Sequence, residues 1–327
     1  MNMKNEKEFI MKNISNKLRW LKENTDHNVA YIALQGSQNY EMSVYTDEYQ
    51  SDVDVKAIII PSLDDILKGK KMFSHTYIMD DNSHIDCKDI RLYIDLWRKS
   101  NPAYLEILFT EYAIVCNSRF KALLEMADDI AFANKDRLLS CIKGMQMEKY
   151  KALKHPYPTI KDKIDKYGYD PKQLHHMFRL LHFGNDICEY NKSFREALVP
   201  RDDVKDACLR LKTKPMPIVL VDHLAENCVE QLKNIVEHYR DENDLKVNEN
   251  VNKKVEDIIY HIVSMEVKHS MRLTFKDLVE VKHVKMPMKD TKGKVRERLE
   301  NDYSCKENEM VEYDIYSYFS MYNHWEV

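Results

Sequence analysis

The chain has 327 residues, 44% hydrophobic and 32% charged, with a formal net charge of −4. That balance belongs to a folded globular protein with room for one large domain or two ordinary ones. Its mild acidity excludes polyanion binding over the whole surface, six glycines exclude long flexible linkers, and no apolar run reaches the length of a membrane-spanning helix.

Residues 5–24 place Phe9, Ile10, Ile14, Leu18 and Leu21 at near-helical spacing, which predicts an amphipathic helix covering one face of a sheet. Residues 29–34 are short, apolar and rich in strand formers, so they read as a buried strand. The strand runs into Gly36-Ser37, where glycine permits a tight turn that presents backbone N–H groups beside a hydroxyl. Such a turn suits phosphate oxygens. The polar segment that follows, with Tyr40, Tyr45 and Tyr49, reads as a short helical turn and an exposed loop. Residues 53–60 (VDVKAIII) form a second buried strand, ended by Pro61.

Ser62 reads as the N-cap of a short helix over 63–67, and the basic run Lys68–Lys71 after it as a solvated turn. Two strand-like runs, 75–79 and 83–88, flank the hairpin signal Asp80-Asp81-Asn82. A helix over 89–99, capped by Asp89, stops at Asn101-Pro102, where a second short helix over 103–109 begins. A last short strand is predicted at 112–115.

Beyond residue 117 the strand signals fade. Helices are predicted over 120–132, 136–153, 172–190, 204–211, 218–239 and 248–269, with loops at Pro156–Pro158 and Pro215–Pro217. This divides the chain into residues 1–117 and a helical part, 118–327. The tail from Thr274 is charged and irregular, with late aromatics (Tyr313, Tyr316, Tyr318, Phe319, Tyr322, Trp325) that would dock on the body. Seven cysteines stand singly with no CxxC pair, which favours reduced thiols. The start, MNMKNEKEF, has no apolar run, so no signal peptide is expected and the location would be the cytoplasm of a cell or of an infected host.

The chemistry concentrates at Asp52 and Asp54. Two residues apart at the start of a strand, their side chains leave the same face. Paired carboxylates repel unless a cation lies between them. Oxygen ligands with open positions suit Mg²⁺, which completes its shell with water and substrate phosphates. On a neighbouring antiparallel strand, Asp86 would join them. Three carboxylates would hold two Mg²⁺ ions, with Mn²⁺ as a substitute, and clamp both oxygens of an in-line displacement. Lys172, His176 and Arg179 stand at i, i+4 and i+7, a cationic stripe on one helix face, with Asp170 as that helix's cap and His175 turned away by about 100°. Glu106, on the short helix behind the sheet, reads as structural, pairing with Arg98 or with a cation of the site.

These residues resemble a known family. The order Gly36-Ser37, Asp52-x-Asp54 and Asp86 resembles the nucleotidyltransferases of the DNA polymerase β superfamily. Closer still is the branch associated with RNA repair in bacteria and their phages, with its "GSxNYG…SDxDxK" signature. Here that signature stands as Gly36-Ser37-Gln38-Asn39-Tyr40 and Ser51-Asp52-Val53-Asp54-Val55-Lys56. "NPxxLExLF" is matched by Asn101 to Phe109, and "YDxKxxxHxxR" by Tyr169-Asp170-Pro171-Lys172, His176 and Arg179. Glu41 replaces the family's glycine, and the loop between the two signature halves is longer than usual. The resemblance implies an α/β (α+β) nucleotidyltransferase core with a small mixed sheet, followed by a helical C-terminal domain. It also implies transfer of a nucleoside monophosphate from an NTP such as ATP onto a hydroxyl of an RNA end, for instance damaged tRNA, with release of pyrophosphate. Asp52, Asp54 and Asp86 would hold the metal and carry catalysis. Gly36, Ser37, Lys172, His176 and Arg179 would bind the nucleotide. The rival readings are a nucleotide- or partner-binding module without turnover, and transfer to a protein or a small molecule.

Overall fold

The computed structural model describes residues 3–45, 50–287 and 310–318. Tyr49, Cys305 and the last aromatics of the tail, Phe319, Tyr322 and Trp325, lie outside the described residues. The chain forms two compact units, Met1–Ser264 and Met265–Val327, and the division expected near residue 117 falls inside the first.

The first unit opens with α1 (Met3–Asn24), followed by β1 (Asn28–Gln35) and β2 (Asp54–Ile60). Next come α2 (Leu63–Leu67), β3 (Ser74–Ile78), β4 (His84–Asp89), α3 (Leu92–Arg98), α4 (Pro102–Leu105) and β5 (Ala113–Val115). The strands make one mixed sheet in the order β3-β4-β2-β1-β5. β1 runs antiparallel to both β2 and β5, while β2 and β4 are parallel. Alternation splits the strand residues between two faces. Val29, Ile32, Leu34, Val55, Ala57 and Ile59 pack under Ile10, Ile14, Leu18 and Leu21 of α1, which forms one outer layer as its periodicity requires. On the opposite face Tyr31 stacks on Phe120 and donates its hydroxyl to the Ile107 carbonyl at 2.6 Å.

The helical part begins with α5 (Lys121–Glu125) and α6 (Ala127–Phe132), followed by α7 (Lys135–Ala152), α8 (Lys161–Tyr167) and α9 (Pro171–Cys188). It continues with α10 (Phe194–Leu198), α11 (Asp202–Thr213), α12 (Ile218–Glu242) and α13 (Glu249–Leu278). The single helix expected over 120–132 is two, because the backbone leaves the helical region at Met126 (φ −100°, ψ 13°). Asp89 ends β4 instead of opening a helix, although its carboxylate does accept the Arg91 N–H at 2.9 Å. At the centre, Gly184 of α9 lets Leu232 of α12 approach to where a Cβ would meet its Cδ1 at 2.4 Å. The buried Gln146 of α7 donates its amide to the carbonyls of Met177 on α9 and Cys228 on α12, both at 3.1 Å.

In the second unit, the tail expected to be irregular contains an antiparallel pair, β6 (Val279–Pro287) with β7 (Met310–Tyr318). The β-branched and aromatic residues of those runs, obscured in the sequence by the surrounding charges, favour strand. The six described cysteines are free thiols. Among the described residues no helix is long and apolar enough to cross a membrane.

Candidate active site

The residues around Ser37 in the turn after β1 each have a structural task. Gly36 adopts φ 112°, ψ −154°, a conformation that residues with a Cβ rarely enter, and a 3₁₀ turn over Ser37–Tyr40 follows. Gln38 donates its amide to the Asp52 carbonyl at 2.7 Å, which ties the two signature segments together. Asn39 donates to the Leu34 carbonyl at 2.9 Å and accepts from the Thr110 hydroxyl at 2.6 Å. Tyr40, expected in a polar segment, is buried. The position after it is left-handed, φ 56°, which accounts for glycine in the family signature. Here Glu41 takes that strained conformation, and its carboxylate is held by Lys205 of α11 at 2.5 Å.

A cleft of about 310 Å³ opens at this end of the sheet, lined on one side by Gly36, Ser37, Asp52 and Asp54. Asp86 does not join them. The expectation of an antiparallel neighbour is corrected here: β4 runs parallel to β2, in a register that sets Asp86 opposite Lys56. His84 is the residue beside Asp54, and its backbone N–H donates to the Asp54 carboxylate at 2.8 Å. Asp86 instead accepts from Lys56 at 3.0 Å and Lys88 at 2.6 Å, and the Lys56 ammonium also lies 4.4 Å from the centre of the Tyr104 ring. Burial pushes the Asp86 carboxyl up, but the two lysines outweigh it and hold the group below the usual carboxylate range. Among the described residues no three metal-capable side chains converge. Asp52 and Asp54 remain together on this side of the cleft, an all-oxygen donor set that leaves ligand positions for water and phosphate, as Mg²⁺ prefers; the site fits that ion on its chemistry.

The other wall is cationic. Asp170 caps α9 by accepting the Lys172 N–H at 3.1 Å, and Pro171 occupies the first helical position. This start sets the phase of the helix, and Lys172, His176 and Arg179 all face the cleft as their spacing predicts. His175, expected to turn away, also reaches the cleft lining, with Nδ1 2.9 Å from the Cys208 carbonyl. A carbonyl can only accept, so Nδ1 carries the proton and Nε2 the lone pair. Burial holds His175 near a pKa of about 3. His176 is also pushed well below the ordinary histidine value, first by burial and then by His175 and Arg179. Both rings are therefore neutral near pH 7.

Two lysines that the sequence left unremarked, Lys149 of α7 and Lys212 of α11, complete this wall. Burial, reinforced by Lys172, lowers Lys212 to about 8. No local pattern marks either residue, because each comes from a helix remote in sequence from α9.

Glu106 differs most from its sequence reading. It is buried, and it lines the cleft beneath the turn. One carboxylate oxygen accepts the Gly36 N–H at 3.2 Å, and the other accepts the Tyr40 hydroxyl. Arg179 lies over the ring of that tyrosine, its guanidinium carbon 4.1 Å from the ring centre. Arg98 pairs elsewhere, with Asp95 and Glu256. The Gly36 N–H is thus committed to Glu106, and the turn presents the Ser37 end to the cleft.

Residues 10–244 match the family described as RlaP, RNA repair pathway DNA polymerase beta family. The chain belongs to that family. The match takes in the sheet, α9, α11 and α12, so both walls of the cleft of this polymerase β family nucleotidyltransferase lie within it. A comparison with curated proteins gives no match. Among solved structures this nucleotidyltransferase is similar to a nucleotidyltransferase-like protein from Exiguobacterium sibiricum 255-15. The two share 12% identity and a TM-score of 0.30, over 95% of this chain and 100% of the other.

Proposed function

We propose that the protein transfers a nucleoside monophosphate from an NTP onto a hydroxyl of an RNA end, releasing pyrophosphate in a Mg²⁺-dependent reaction. The observation that carries this reading is the pairing of two carboxylates with a cationic wall across one cleft. Asp52 and Asp54 are the residues that would hold Mg²⁺, or Mn²⁺ in its place. When bound, such an ion supplies a lowered pKa at the attacking hydroxyl and charge neutralisation at the leaving group.

The protein's own residues bind and orient. Lys172, Arg179 and Lys212 offset the charge of the triphosphate. Neutral His176 offers a hydrogen bond without adding charge. Ser37 donates from the turn, while Gly36 shapes that turn and is not itself a phosphate donor. Catalysis of this kind is mostly positioning and charge stabilisation in a site that holds its geometry. Asp86 is given no ligand role; paired with two lysines, it supports the seat of α4 on the sheet. RNA as acceptor is supported by the family's RNA-repair description.

The test incubates the protein and Mg²⁺ with each α-labelled NTP and, separately, total RNA, a protein extract or small hydroxyl compounds. Label in RNA alone is the expected result. Label only in protein or small molecules overturns the RNA acceptor. Tight NTP binding with no label anywhere overturns transfer and leaves a nucleotide-binding module.

A further inference from the structure

Glu106 is an expensive residue where it stands. A carboxylate this deeply buried loses its hydration, and the nearby Arg179 and Lys56 offset only part of that cost. Its two oxygens reach two different parts of the cleft. One holds the Gly36 N–H, immediately before Ser37. The other holds the Tyr40 hydroxyl, and the Tyr40 ring is the surface on which Arg179 rests. One side chain therefore links the turn of the sheet to the cation of α9. The Arg179 Nε is itself buried without a hydrogen-bond partner in the protein, and the Tyr40 ring 4.1 Å from its guanidinium carbon is the contact that places it beside Glu106.

We propose that Glu106 is a positioning residue for the nucleotide. It fixes the separation between the Ser37 turn and Arg179, so that both meet the same triphosphate. This rests on the nucleotide reading of the cleft. Glu106 takes no part in the chemical step, because its hydrogen bonds are directed at Gly36 and Tyr40 and not at the carboxylate pair.

Three variants separate this role from others. Glu106→Gln retains an acceptor for Gly36 and a partner for Tyr40. Tyr40→Phe cuts only the hydroxyl link, and Glu106→Ala removes both. The measurements are the Kd for each of the four ribonucleoside triphosphates with Mg²⁺, by calorimetry, and the rate of label transfer to total RNA at saturating NTP. Thermal unfolding of each variant establishes that the protein assayed is folded.

The expected order of Kd is wild type close to Glu106→Gln, then Tyr40→Phe weaker by about threefold, then Glu106→Ala weaker by about tenfold or more. The saturated rate per folded molecule should fall in the same order, with Glu106→Gln close to wild type. A residue that served folding alone would lower the folded fraction and leave Kd unchanged. If Glu106→Ala does not fold, Tyr40→Phe and Glu106→Gln still decide the question. Equal Kd in all variants overturns the positioning role while the nucleotide reading stands. A collapsed rate in Glu106→Gln with unchanged Kd also overturns it, by making Glu106 a catalytic group. Wild-type protein that binds none of the four triphosphates overturns the cleft reading itself, and the proposal with it.

Discussion

Replacing Glu106 by Gln should stabilise the fold in neutral and alkaline solution. Burial pushes the Glu106 carboxyl from 4.5 up to about 7, and the bonds from Tyr40 and Gly36 with the nearby Arg179 and Lys56 recover only part of that cost. The folded chain then holds this proton more tightly than the unfolded chain does. Stability therefore falls as pH rises through the interval between 4.5 and about 7, and the loss is complete above it. At roughly 1.4 kcal/mol for each tenfold in proton affinity, the wild type gives up about 3 kcal/mol over the whole interval. Glutamine does not titrate. The difference in unfolding free energy between variant and wild type should accordingly grow by about 2–3 kcal/mol from pH 5 to pH 8. Urea unfolding of both proteins at several pH values measures it, as a divergence in midpoints of about 1 M for a chain of this size. Because only the difference is used, every other titrating group cancels. A difference that stays constant across the range, or that shrinks as pH rises, would refute the buried, proton-retaining environment assigned to Glu106.

Further outcomes follow from the same structure. Asp52→Asn and Asp54→Asn should each abolish label transfer and leave the unfolding temperature unchanged, since Asp52 is exposed and an amide oxygen at position 54 can still accept the His84 N–H; circular dichroism and the transfer assay together check this. Asp86→Ala should instead cost about 3–5 kcal/mol, because it strands the buried Lys56, and adding Lys56→Met should recover much of the loss in urea titrations. Gly184→Ala should destabilise by about 1–3 kcal/mol despite alanine's better helix propensity, and pairing it with Leu232→Ala should relieve the overlap without restoring the packing. Glu41→Gly should melt at or slightly above the wild type: roughly 1 kcal/mol of left-handed strain is relieved against about 0.2–1 kcal/mol of exposed ion pair lost. Glu41→Ala, which keeps the strain and loses the pair, should melt below both.

The sequence showed the strand–turn–strand centre because its signals are local. Residues 29–34 and 53–60 are unbroken strand formers, and Gly36 marks the turn between them. The i, i+4, i+7 spacing of Lys172, His176 and Arg179 likewise transfers directly to one face of α9. What stayed hidden depends on partners distant in the chain. The direction of β4 relative to β2 is settled by the crossover through α2 and β3, and no pattern within residues 83–88 reveals it; hence Asp86 was placed beside the wrong neighbour. Glu106 reads as an ordinary helix residue until the fold brings Gly36 above it, seventy positions earlier in the chain. Lys149 and Lys212 carry no mark of their destination either. The short helices α8 and α10 offer too few residues for a periodic signal.

Gln146 spends both hydrogens of its amide on backbone carbonyls of two other helices, at a position buried from solvent. Sliding α7, α9 or α12 along its axis would break at least one of those bonds and leave an amide N–H of Gln146 buried without an acceptor. On the basic side of the cleft, α7, α9 and α12 are therefore held in register with one another. The opposing lip has less to hold it, since a four-residue turn and a side chain at the end of a short helix carry the contacts there. Mobility measurements on the ligand-free and ligand-bound protein should accordingly find those three helices unchanged and the lip quieted.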